Sequence, residues 1–163
     1  MAETEIQINQ LPVTATVADP GVDTQVPTEK AVRDAVAAAL TIRYVTFALN
    51  GSVSLVLTNL GYWRARAAFV GMKLVSIDAS VGDGAAGASS SGDPTFMVYK
   101  NGTAMLSTAC TVDVNEYSSV TDAHQAVIKS DGTEVLALDD LIKVAPTTAG
   151  TGVTYATVTL GFQ

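Results

Sequence analysis

The chain has one histidine, His124, which follows Asp122 by two residues. A nucleophilic triad uses a histidine base held by a carboxylate, with a serine or cysteine beside it. His124 and Asp122 offer two of those parts, but no G-x-S-x-G elbow supplies the third. On a strand, residues two apart share a face, so the two read as a surface pair. A histidine-based zinc site asks for three or four N/S ligands, more than one His and one Cys provide. Acids pair at Asp139-Asp140 and at Asp113 with Glu116. Glycoside hydrolysis needs two carboxylates at a set separation, and no spacing here singles out such a pair. The loop acids Asp83, Asp93 and Asp131 lack the D-x-D-x-D-G spacing of a calcium loop. Solvated turns and strand ends account for these acids.

Cys110 is the only cysteine, so no intrachain disulfide forms. It sits in LSTACTVDV, a strand-like run without a basic residue to lower its pKa, and reads as a buried, inert thiol. The run from Gly82 to Asp93, GDGAAGASSSGD, lacks the Gly-Lys-Ser/Thr ending of a phosphate loop. Its composition predicts a flexible, exposed surface loop. Asn50-Gly51-Ser52 and Asn101-Gly102-Thr103 match the glycosylation triplet but read as hairpin turns. Tyr62, Trp63, Tyr99, Tyr117 and Tyr155 are candidates for stacking on sugars, although strand aromatics commonly pack on neighbouring strands. The sequence thus predicts a non-enzyme with no catalytic residues, no cofactor and no metal site.

Composition narrows the partners. At 163 residues the chain fits one domain plus an extension. Apolar residues make up 48% and charged residues only 15%, which suggests that a second subunit or partner covers some apolar surface. A net charge of −7 argues against nucleic acid and against anionic membranes. MAETEIQINQ has neither the basic nor the apolar region of a signal peptide, and no run is apolar enough to insert in a membrane.

One stretch is strongly helical: DTQVPTEKAVRDAVAAAL, Asp23 to Leu40. Pro27 suits a first turn, Thr28 is an N-cap candidate, and Glu29 lies near the positive end of the dipole. Val32, Ala35, Val36, Ala39 and Arg43 fall near one face, with Leu40 and Ile42 flanking it. A helix of about 13 residues is too short to stand alone in water, so the stripe must pack on the chain's own β region or on copies of itself. Before it, residues 1–26 form a polar leader with scattered apolar anchors at Ile6, Ile8, Leu11 and Val13.

The phrase Asp23, Thr24, Val26, Pro27, Thr28, Glu29, Lys30, Ala31, Val32, Arg33 resembles a segment of bacteriophage tail-fibre and related virion proteins. There it follows a loose N-terminal anchor and leads into a trimeric stalk or head. The likeness covers about 23 residues directly; the β-rich remainder resembles that family only in style. It implies a homotrimer gathered by Val32, Ala35, Val36, Ala39 and Leu40. It also implies a leader docking through Ile6, Ile8, Leu11 and Val13 onto another virion protein, and a head that meets a host surface glycan. The virion is the implied location, after synthesis in the bacterial host cytoplasm.

Downstream, the pattern is that of short strands. Arg43 to Leu49 and Ser52 to Leu57 flank Asn50-Gly51, the strongest hairpin signal in the chain. Tyr62 to Val70 alternates and reads as a strand, as do Lys73 to Val81, Thr95 to Lys100, Thr103 to Ser107, Thr108 to Val114, part of Ser118 to Ile128, Thr133 to Leu138, Leu141 to Ala145 ending at Pro146, and Val153 to Phe162. In the last, Ala156, Val158, Leu160 and Phe162 form the inward face. The expected fold is mainly β: a jelly-roll-like antiparallel β-sandwich over 43–163, preceded by an extended leader (1–26) and one short α-helix (27–42), as a trimer. Two other readings remain: a capsid decoration protein without a receptor role, and a carbohydrate-binding module.

Overall fold

The computed structural model describes residues 30–33, 41–50, 60–82 and 88–163. The leader anchors Ile6, Ile8, Leu11 and Val13 lie outside the described residues. So do the helix-stripe residues Ala35, Val36, Ala39 and Leu40, and the expected strand from Ser52 to Leu57. The chain divides into two compact units, Met1–Thr41 and Ile42–Gln163. In the first, residues 30–33 are helical and Val32 is exposed.

The second unit is mainly β and its sheets are antiparallel. Its strands are β1 (Arg43–Asn50), β2 (Gly61–Arg64), β3 (Leu74–Gly82), β4 (Thr95–Lys100), β5 (Thr103–Ala104), β6 (Leu106–Thr108), β7 (Cys110–Thr111), β8 (Val127–Ile128), β9 (Leu141–Thr148) and β10 (Tyr155–Phe162). One sheet runs β1-β10-β3. The other runs β2-β9-β4-β5, with β7 also on β4, and β6 with β8 makes a small third sheet. Period-2 patterning dictates the faces. Ala156, Val158, Leu160 and Phe162 of β10 are fully buried, as the sequence predicts. Their register partners Phe47 and Leu49 of β1 and Ile77, Ala79 and Val81 of β3 are buried beside them. Phe96, Val98, Ile142 and Val144 from the second sheet complete the same hydrophobic cluster, so the two sheets share one core in a sandwich-like arrangement. Each large aliphatic side chain fully buried here contributes roughly 1.5–3 kcal/mol.

An aromatic trio ties the sheets together at one end. Trp63 of β2 meets Phe69 edge-on at 4.8 Å, and Phe69 meets Phe162 of β10 at 5.8 Å. The free edge of β3 is covered by a loop: Val81 N–H donates to Tyr117 O, Ser119 N–H to Ala79 O, and Ala79 N–H to Ser119 Oγ. Covering an edge in this way blocks pairing with another chain.

Four expectations are corrected. The strand from Tyr62 ends at Arg64, because Ala65 turns to exchange hydrogen bonds with Asp139 and Asp140, and residues 67–69 close a 3-10 turn. Thr133 to Leu138 is a series of turns with one bridge, Lys73 to Val135. Thr108 to Val114 is not one strand: Thr108 ends β6 opposite Val127, and pairing resumes only over Cys110–Thr111. Pro146 does not end its strand. β2 leaves β9 at Val144, and Pro146 lies by the register shift between Thr95 and Phe96, a place where a missing N–H is tolerated.

Candidate functional site

The outer face of the second sheet gathers aromatics that are far apart in sequence. The register sets Tyr62 of β2 opposite Lys143 of β9, and Lys143 opposite Tyr99 of β4. Neighbouring strands lie about 4.8 Å apart, so the two tyrosines flank the lysine across roughly 10 Å. Lys143 Nζ sits 4.3 Å from the Tyr99 ring centre, a cation–π contact that holds the ammonium on the sheet. Tyr62 is 57% exposed. This row offers flat apolar rings beside a hydrogen-bond donor, the pairing that recognises a sugar's apolar face and its hydroxyls.

Beside the row opens a groove of about 540 Å³ lined by Trp63, Arg64, Ala65, Arg66, Ala67, Leu138 and Asp139. Arg64 Nη1 donates to Asp139 O at 3.0 Å and lies 3.6 Å from the Asp139 carboxylate. Both side chains are exposed, so this ion pair orients the groove wall more than it stabilises the fold. Trp63 lends the groove only part of its ring, since the rest packs on Phe69 and Phe162. Tyr117 is exposed but belongs to the loop over β3, and Tyr155 lies on the other sheet. Of the five aromatics singled out in the sequence, the fold therefore gathers Tyr62 and Tyr99, with Trp63 at the groove.

A second cluster forms between loops. His124 and Asp122 are not a strand pair on the surface. Asp122 N–H donates to Ser119 O in a turn, and Asp122 Oδ1 accepts the His124 N–H at 2.7 Å. The Asp122 side chain is fully buried, while His124 is 75% exposed. Asp113, nine residues before Asp122, joins them: its Oδ1 lies 3.7 Å from His124 Nδ1, and Asp122 Oδ1 lies 3.6 Å from the same nitrogen. Burial pushes the Asp122 carboxyl up, and the charge of Asp113 adds to this against the pull of the His124 N–H. Sequence spacing did not reveal this trio, because Asp113 arrives through loop packing and not through periodicity. Cys110 is buried as expected, with its thiol pushed up by burial.

The loop expected to be flexible is pinned at its C-terminal end. Ser89 is fully buried and shares its hydroxyl proton between Ser91 O and Gly92 O, while Thr151 N–H donates to its Oγ. Residues 83–87 lie outside the described residues.

Among the described residues no helix is long and apolar enough to cross a membrane. No protein-family model matches the chain, and neither a curated protein nor a solved structure matches it.

Proposed function

We propose that this chain is a non-enzymatic structural protein of a phage-type virion: a short trimeric fibre whose leader docks onto the particle and whose jelly-roll-like β head meets a host surface glycan. One observation carries the reading. The phrase from Asp23 to Arg33, which resembles virion fibre proteins, stands directly before a mainly β unit that begins at Ile42. The row Tyr62–Lys143–Tyr99 supports the glycan part, since it presents stacking surface and a donor on one face. Three weak sites on one rigid head would gain avidity without any new contact.

Light scattering on the full chain, beside a truncation starting at Tyr44, tests the assembly. A trimer of about 50 kDa is expected from three 16.8 kDa chains, loosening on truncation. A monomer at every concentration refutes the fibre, and a carbohydrate-binding module then becomes the better reading. Saturable binding of the full chain to bacterial cells, weakened by Tyr62→Ala with Tyr99→Ala, is the expected second result. A decoration protein would instead show no cell binding, and capsid stability would depend on it.

A further inference from the structure

Asp113, Asp122 and His124 each present one donor atom, and the three atoms lie within 4.8 Å of one another. A bare cluster of this kind means little, since exposed acids gather often. Here a second observation bears on it. The Asp122 side chain is completely buried, and its Oδ2 has no hydrogen-bond partner among the described residues. A buried carboxylate with a free oxygen, set against a second carboxylate, is costly unless a cation or proton compensates it.

The backbone holds both carboxylates in place. The Asp113 turn is fixed to residues 89–94: Val112 N–H donates to Pro94 O, Val114 N–H to Asp93 Oδ1, and Asn115 N–H to Ser89 O. The Asp122 turn is fixed to the edge of β3 through Ser119 and braced by Gln125 Nε2, which donates to Asp122 O and Ser119 O. His124, largely exposed, is free to bring Nδ1 to a common centre.

We propose that Asp113, Asp122 and His124 form a binding site for a first-row divalent transition metal of the zinc type, which locks the 113–124 excursion onto the sandwich. The distances suit this. Ligands at about 2.0–2.1 Å from a tetrahedral zinc lie about 3.3 Å from one another. The 3.6 and 3.7 Å separations from His124 Nδ1 need only a few tenths of an ångström of closure, and the trio as a whole, within 4.8 Å, must close by up to about 1.5 Å to reach this spacing. An imidazole among the donors favours zinc or its neighbours over calcium or magnesium, which prefer all-oxygen shells. His124 binds through the Nδ1 lone pair, with its proton on Nε2. Two carboxylates and a neutral imidazole carry two negative charges, which a divalent ion balances. Water completes the coordination on the exposed side.

The test is titration of the EDTA-stripped full chain with Zn2+ by calorimetry, followed by thermal unfolding with and without Zn2+. One ion per chain and a higher Tm with Zn2+ are expected. Loss of an outer-sphere partner commonly weakens a site 10–100-fold, so losing a direct ligand in Asp113→Asn or His124→Ala should weaken binding at least about 100-fold. His124→Ala should leave the metal-free Tm unchanged, because the ring is exposed. His124 is the only histidine, so its imidazole NMR signals report binding directly. The site is refuted by absence of binding at millimolar Zn2+, by undiminished binding in both variants, or by Ca2+ stabilising wild type and His124→Ala alike.

Discussion

Phe47 of β1 packs on the bare Cα of Gly61 of β2: a Cβ at Gly61 would lie 2.6 Å from Phe47 Cδ1 and 3.1 Å from its Cβ. The contact joins one sheet to the other. The closest atom is Cδ1 of a ring buried in the core, so the ring must shift within a packed site to admit the methyl. Gly61→Ala should therefore destabilise by about 1–3 kcal/mol, as overpacking does. Urea unfolding of Gly61→Ala, Phe47→Ala and the double variant, in which the Cδ1 and Cγ contacts are gone, checks this. The double variant should lose less than the sum of the two, because the clash exists only when both groups are present. Strict additivity would show that the contact is not the cause.

Ser89 joins three loops. Its Oγ accepts from Thr151 N–H and donates toward Ser91 O and Gly92 O, and its carbonyl accepts from Asn115 N–H. Ser89→Ala removes the Oγ bonds to Ser91 O, Gly92 O and Thr151 N–H, the last of which keeps Ser91 O as an acceptor, for a loss of about 1 kcal/mol. Limited proteolysis should then cut near residues 88–92 faster than in the wild type. Gly150→Ala should act in the same direction, since Gly150 has φ +72° and a Cβ there would meet Ser89 Oγ at 2.5 Å.

The β unit was largely legible from period-2 patterning. The alternation of Ala156, Val158, Leu160 and Phe162 located a central strand, and Asn101-Gly102 located a turn, with φ of 50° and 88° at the two positions. What escaped depended on long-range partners. Trp63, Ala65 and Ala67 keep alternating, yet the chain turns because Ala65 bonds to Asp139 and Asp140, residues far along the sequence. Ser89 lies in a Gly/Ser-rich run that reads as exposed, and its burial depends on Thr151. The Tyr62–Lys143–Tyr99 row and the approach of Asp113 to His124 are matters of register and loop packing, which no local pattern encodes.

Cys110 predicts an alkaline limit. Burial raises the thiol pKa above its ordinary value near 9.0; the Ser119 hydrogen bond opposes this, while Asp78 and Asp122 add to it. The folded state therefore keeps its proton to higher pH than the unfolded state does. Stability should be unaffected by this group below about pH 9, then fall as pH rises from that value through the folded pKa. Cys110→Ala should flatten that alkaline decline. In the wild type, thiol reagents at pH 8 should label Cys110 only as fast as the chain opens, so labelling should accelerate with urea. Rapid labelling of the native protein would contradict the burial.

Asn101 performs two tasks that substitutions can separate. It holds φ at 50°, a conformation open to Asn and Gly but costly to other residues. Its side chain also bridges two strands' ends: Nδ2 donates to Asp140 Oδ1 at 2.6 Å, and Oδ1 accepts the Leu141 N–H at 2.9 Å. Asp140 in turn accepts the Ala137 N–H through Oδ2, so the bridge reaches the turn before β9. Asn101→Gly keeps the turn and removes the bridge, for an expected loss of about 1 kcal/mol, since these bonds are solvent-exposed. Asn101→Ala removes the bridge and also forces an alanine into the left-handed region, adding roughly 1 kcal/mol more. Denaturant midpoints of the two variants give the partition. If alanine and glycine cost the same, backbone conformation contributes nothing and the side-chain bridge alone sets the turn. If glycine is neutral and alanine is not, the bridge is dispensable and the left-handed backbone is what Asn101 supplies.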